Sequence, residues 1–192
     1  MDKFKKASLE IDRIHRLDSN IKTENGKEFP AEYLYSQRMV ETLKAFFPDA
    51  SETIQLAARC QHFKRWEIPR GSYPMDRQGY HKWRVSLFEH QGNEAAKILK
   101  DVGYPDEVIS EVKNLIRKKD LKTSPDTQLL EDITCLVFFK YYAADFSRKH
   151  HREKLKHIAS GTLSKMSERA KNELKKMELE SQITDLLQEI SH

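Results

Sequence analysis

Seven basic side chains, Arg59, Lys64, Arg65, Arg70, Arg77, Lys82 and Arg84, fall within residues 59–84 and share that stretch with Phe63, Trp66, Tyr73, Tyr80 and Trp83. Only Glu67 and Asp76 oppose them, so the segment carries +5 against +4 for the whole chain of 192 residues, and the remainder is close to neutral. Guanidinium groups bind phosphate or carboxylate through two parallel hydrogen bonds, and flat aromatic rings offer a surface to a base or a sugar. The composition suits an anionic ligand with a planar part. Arg65, Trp66, Arg70, Tyr73, Arg77, Tyr80 and Arg84 are the candidate ligand-binding residues, and the spacing of Arg77, Tyr80 and Arg84 puts them on one face of a helix. Internal salt bridging that pins the segment is the competing role for the same arginines.

His62 within this segment, with the adjacent carboxylates Glu131 and Asp132, completes the set of candidate catalytic residues. Carboxylates in the first turn of an exposed helix gain about 0.3–1 kcal/mol from its dipole. The helix they open reads as buried, however, and a buried carboxylate must be paired or have a raised pKa. His62, Lys118, Lys119 or an arginine of the 65–84 loop is the expected partner. A carboxylate beside an imidazole holds it in one tautomer for general acid or base work, and a purely structural ion pair has the same appearance in sequence. His150, His151 and His157 lie in a very polar stretch and read as surface residues, while Cys60 and Cys135 sit in apolar helical patterns and read as reduced packing residues.

The elements that must position these residues are helical. Glycine and proline cut the chain into helix-length pieces, and no segment shows the sustained two-residue alternation of a half-buried strand. Helices are expected over residues 2–19, from Pro30 to Pro48, and from a Ser51 cap to about residue 63. A polar loop with Asn25-Gly26 separates the first two, and a proline-punctuated loop covers 64–75. Asp76 caps a helix towards Val102, broken near Gly92 and closed by Gly103, and a further helix covers about 105–119. The most apolar helix, about 127–147, wraps Leu129, Leu130, Ile133, Leu136, Val137, Phe138 and Phe139 around more than one face and should be buried at the centre. Residues 148–192 are rich in Lys and Glu and suggest two or three surface helices.

These patterns give an all-α fold, one helical domain over 1–192 with a core over about 1–147 and charged C-terminal helices over about 148–192. Hydrophobic residues make up 38% and charged residues 33%, with a mean hydropathy of −0.76 and a pI near 8.9. No apolar run resembles a signal-peptide core and no window reaches membrane-spanning length, so a cytoplasmic protein without a membrane partner is expected.

The local words carry two resemblances. LAARCQHFKR, YSQRMVETL and LLEDITCLVFF resemble the motif helices of the HD-type metal-dependent phosphohydrolase superfamily. That similarity places Tyr35 where the first His of the family stands, Gln61 and His62 at its His-Asp pair, and Asp132 at its final Asp. It implies an HD-like fold, phosphoester hydrolysis and one divalent metal ion as cofactor, with His62 and Asp132 as the metal ligands. Only Asp132 keeps the family's residue type, and a glutamine amide and an un-ionised tyrosine are weak ligands. QHFKRWEIPRGSYPMDRQGYHKWR, followed by LEDITCLVFF, is similar over most of the chain to a family of domains of unknown function, some of whose members are loosely labelled glutamyl-tRNA synthetase. KMSER, residues 165–169, resembles a synthetase KMSKS loop, but the chain has neither an HIGH-type word nor a βαβ nucleotide fold, and aminoacylation is not expected.

The expected ligand is thus a phosphorylated small molecule or nucleotide. In a hydrolase, His62 is ligand or general base, Asp132 ligand or orienter, and the arginines clamp phosphate. The alternative is a non-catalytic module binding a nucleotide or RNA on a scaffold that has lost the metal.

Overall fold

In a computed structural model the described residues are 1–121 and 123–190. The fold is essentially all-α, and contacts between Cα atoms group it into two compact units, Met1–Asp120 and Leu121–His192. No helix among the described residues is long and apolar enough to cross a membrane.

The first unit begins with α1 (Lys3–His15), N-capped by Asp2, whose carboxylate accepts from the Lys5 N–H at 2.7 Å. A hairpin follows, β1 (Ile21–Glu24) antiparallel to β2 (Lys27–Pro30), where only a polar loop was expected. Its turn is Asn25-Gly26, with φ of 51° and 74°, the left-handed pair that tight hairpins require. Both strands are largely exposed, so no face had to be apolar and no alternation marks them in the sequence.

Helix α2 (Ala31–Phe46) starts directly after Pro30, as its position predicts, yet its cap comes from further away. The buried Asp18 carboxylate accepts from the Glu32 N–H at 3.0 Å. Helix α3 (Glu52–Arg59) is N-capped by Ser51 and stops short of the expected residue 63. Two short 3-10 turns, Arg65–Glu67 and Arg70–Ser72, lead to α4 (Arg77–Val102), capped by Asp76 and ended at Gly103. The break expected near Gly92 is absent. Gly92 is buried, and a Cβ there would stand 3.1 Å from Cγ of Lys113 in α5 (Asp106–Ile116), so its small size serves helix packing. Ile11, Met39, Leu43, Leu56, Phe63, Leu99 and Ile116 are almost wholly buried. Each such side chain contributes about 1.5–3 kcal/mol relative to exposure.

The second unit opens with α6 (Pro125–Val137), whose Ser124 cap accepts from the Thr127 N–H at 3.3 Å. Eight of its thirteen residues are buried, including Glu131 and Asp132, in agreement with the expected buried helix. Its continuation is not uniform: residues Phe138–Tyr142 are π-helical before α7 (Ala143–Lys149). Then come α8 (Arg152–Leu163), α9 (Glu168–Lys176) and α10 (Ser181–Ile190), the charged C-terminal helices. Ile183 and Leu186 of α10 are fully buried.

Candidate functional site

The site in the first unit is built around the turn that follows α3. The last carbonyl of that helix, Arg59 O, accepts from two side chains, Ser36 Oγ at 2.9 Å and His15 Nε2 at 3.0 Å. Arg59 itself reaches Asp12 of α1 at 2.6 Å. Two elements, α1 and α2, therefore fix where α3 stops. Beyond it Gln61 and Phe63 point into the core while His62 and Lys64 point outward, and His62 and Lys64 take left-handed φ of 60° and 53°. Such backbone costs on the order of 1–2 kcal/mol for a residue with a Cβ. Buried Phe63 holds it in place, packed edge-on against His15 at 5.0 Å.

The outward-turned His62 ring stacks on Tyr35 of α2, with centroids 4.0 Å apart and planes 14° from parallel. Its Nδ1 lies 3.2 Å from Glu32 Oε2, also on α2. A carboxylate can only accept, so Nδ1 carries the proton and Nε2 is left with a lone pair. Arg65 Nη1 is 3.4 Å from Nδ1 and 3.0 Å from Nε2. Near-equal distances to the two ring nitrogens put the guanidinium over the ring. Side-chain exposure of His62 is 27%.

Electrostatics keep this imidazole neutral. Burial, then the Arg65 guanidinium, and to a smaller extent Arg84, push the His62 pKa down to about 4, against the opposing pull of Glu32. Burial pushes Glu32 up, but His62 and Arg65 outweigh it and hold the carboxyl below its ordinary value. Around pH 7 the arrangement is a carboxylate, a neutral imidazole and a guanidinium in sequence. It can position a water or hydroxyl proton at Nε2 and an anion beside Arg65.

The basic aromatic segment divides by partner. Arg59 is paired with Asp12, and Lys64 with Glu67 and Glu94 at 2.9 and 2.8 Å, so these two charges are neutralised locally. Arg65 Cζ lies 4.9 Å from the ring centre of Trp83. Arg70 donates to the carbonyls of Tyr73 and Asp76 at 3.0 and 3.3 Å, and its Cζ is 5.8 Å from Trp83. Arg84 is 4.8 Å from Phe88 and 6.0 Å from Tyr80. Among the described residues, Arg65, Arg70 and Arg84 form no salt bridge with a carboxylate. Arg77 stands exposed in the first turn of α4, and Trp66 and Tyr73 are half-buried in the loop. Buried Trp83 clamps that loop to α4, donating from Nε1 to Ile68 O at 2.9 Å.

Glu131 and Asp132 belong to the second unit and are engaged there. Asp132 Oδ1 accepts from the Ser167 N–H at 2.8 Å and from Gln128 at 2.9 Å, while Oδ2 accepts from Ser167 Oγ at 2.5 Å. Ser167 is also the N-cap of α9, so this carboxylate anchors the start of a helix, and the KMSER word is part of that cap. Glu131 lies 3.7 Å from Lys165 Nζ. The carboxylate observed at His62 is Glu32, which sequence reading missed. Its signal was weak but present: Glu32, Tyr35 and Ser36 sit at i, i+3 and i+4 on one face of α2.

The donor set at His62 does not fit a divalent metal. No group of three or more His, Cys, Asp or Glu side chains suited to one occurs among the described residues, and two arginines already repel positive charge from the ring. Both Asp132 oxygens accept hydrogen bonds inside α6 and α9. Gln61 is buried, its amide nitrogen without a partner among the described residues. A groove of about 620 Å³ in the second unit, walled by Leu163, Leu174, Met177 and Leu187, contains none of the residues singled out from the sequence.

Comparison with curated proteins and with solved structures returns no match. A model of a domain of unknown function, DUF4202, matches residues 5–187, and the chain belongs to that family.

Proposed function

We propose that the first unit binds an anionic, phosphorylated small molecule or nucleotide and hydrolyses its phosphoester. The observation that carries this reading is a neutral imidazole, fixed through Nδ1 by Glu32, next to Arg65 and within the field of Arg84. In the proposed step a water attacks phosphorus while His62 Nε2 takes its proton. The new P–O bond forms, the ester P–O bond breaks, and the leaving alkoxide takes the proton back from the imidazolium. Glu32 stabilises the imidazolium in between, and Arg65 and Arg84 stabilise the charge on the phosphoryl oxygens. Bound phosphate offsets the arginine charge and raises the His62 pKa towards the range where a base works well. Resemblance to the HD superfamily supports phosphoester chemistry, but the step uses only the side chains of this chain and no metal.

A second reading is a non-catalytic nucleotide- or RNA-binding module. It draws support from the low basicity of His62 in the unliganded protein and from the exposed Arg77, His81 and Lys82 along the start of α4. Release of inorganic phosphate from a panel of phosphomonoesters, by protein dialysed against chelator, separates the two. The hydrolase reading expects turnover that falls by about 10²-fold or more in His62→Gln. Binding of the same esters without turnover supports the module, and neither binding nor turnover contradicts both.

A further inference from the structure

We infer that the ligand is a nucleotide whose base lies on the exposed face of Tyr80; this rests on the phosphate-binding reading of the His62 site. The aromatic side chains near that site differ sharply in exposure. Trp83 is 5% exposed and Tyr35 7%, both enclosed by packing, whereas Tyr80 is 42% exposed. Its ring is nevertheless held: Trp83 lies 5.9 Å away at 48°, His81 6.0 Å away at 66°.

The flanking cations stand off from it. Arg65 sits close over Trp83 at 4.9 Å, but Arg70 and Arg84 are 5.9 and 6.0 Å from the Tyr80 centroid, the outer limit of a cation–π contact. Both guanidinium groups lie over the ring at a distance too long for close packing, and the 42% exposure of Tyr80 leaves ring surface for a planar group flanked by positive charge. Arg65 and Trp83 join the two halves of the site, since Arg65 lies 3.0 Å from His62 Nε2 and over Trp83, whose ring is 5.9 Å from that of Tyr80. A phosphoryl group held at His62, Arg65 and Arg84 therefore has a stacking surface within reach of the same ligand. A sugar phosphate would leave that surface unused.

The polar groups set against the platform are Arg70, Arg84, His81 and the phenolic hydroxyl. Stacking on a single ring tolerates every base, so purine and pyrimidine nucleotides bind with similar affinity. Calorimetric titration of the full chain with inorganic phosphate, ribose 5-phosphate and adenosine monophosphate tests the assignment. Adenosine monophosphate binds tighter than ribose 5-phosphate by on the order of tenfold to a hundredfold. Tyr80→Ala, a change at an exposed position, removes that advantage without weakening phosphate, and Tyr80→Phe keeps it. Equal affinities for the two organic phosphates in the wild-type protein overturn the base platform and leave the phosphate site standing. Failure of all three compounds to bind overturns the phosphate site and the platform together.

Discussion

The charge state of His62 is coupled to folding as well as to chemistry. In the unfolded chain its imidazole takes up a proton near the ordinary value of 6.5, whereas in the folded protein it resists until about pH 4. Between those values the unfolded state binds more protons, so stability is lost as pH falls through the window and levels off below it. Lowering of the Glu32 pKa acts in the same direction, its contribution being lost at still more acid pH. Urea unfolding at pH 6.5 and pH 4 checks this: the wild type should lose on the order of 2–3 kcal/mol more than His62→Gln over that interval. Parallel losses in the two proteins would mean that the ring is not held neutral. His15 also has a depressed pKa from burial, but it is present in both proteins and cancels from the difference.

At the scale of elements, α4 and its preceding loop come into close backbone contact at a glycine. A Cβ on Gly79 would come within 2.0 Å of the Pro74 carbonyl oxygen and 2.7 Å of its carbon, both backbone atoms that cannot swing away. Gly79→Ala should therefore destabilise by about 1–3 kcal/mol and change the fluorescence of Trp83, whose indole fastens the same loop through Ile68. Wild-type stability and emission in that variant would show the loop to be loosely attached. Much of this level was legible in the sequence. Asp76 and Ser51 cap the helices they were expected to cap, because a short polar side chain before an apolar periodic run is a strictly local signal. The hairpin escaped notice because its exposed strands carry no apolar face, and the π-helical turn at Phe138–Tyr142 because its composition is that of any apolar helix.

Across the whole molecule, the charge excess gathered in residues 59–84 is real but only partly available. Arg59 and Lys64 are neutralised by neighbouring carboxylates, Arg70 fastens its own loop, and Arg65 and Arg84 are left beside an imidazole and aromatic rings. Arg65, Arg84 and His62 could be picked out because they lie close together in sequence. Glu32 carried only a weak signal, since its partner stands 30 residues away and the pairing depends on how α2 meets the end of α3. Asp132 drew attention as a buried carboxylate, and the reason for its burial is a helix cap within its own unit. The central claim is that Glu32 fixes His62 as the Nδ1–H tautomer with an unprotonated Nε2 where phosphate binds. Long-range proton–nitrogen NMR of histidine-labelled protein at pH 7, with His62 assigned through the His62→Gln variant, tests it most directly. The account predicts a neutral ring protonated on Nδ1, with its Nε2 resonance moving towards the protonated form as inorganic phosphate is added. A ring already charged, protonated on Nε2, or indifferent to phosphate would contradict it.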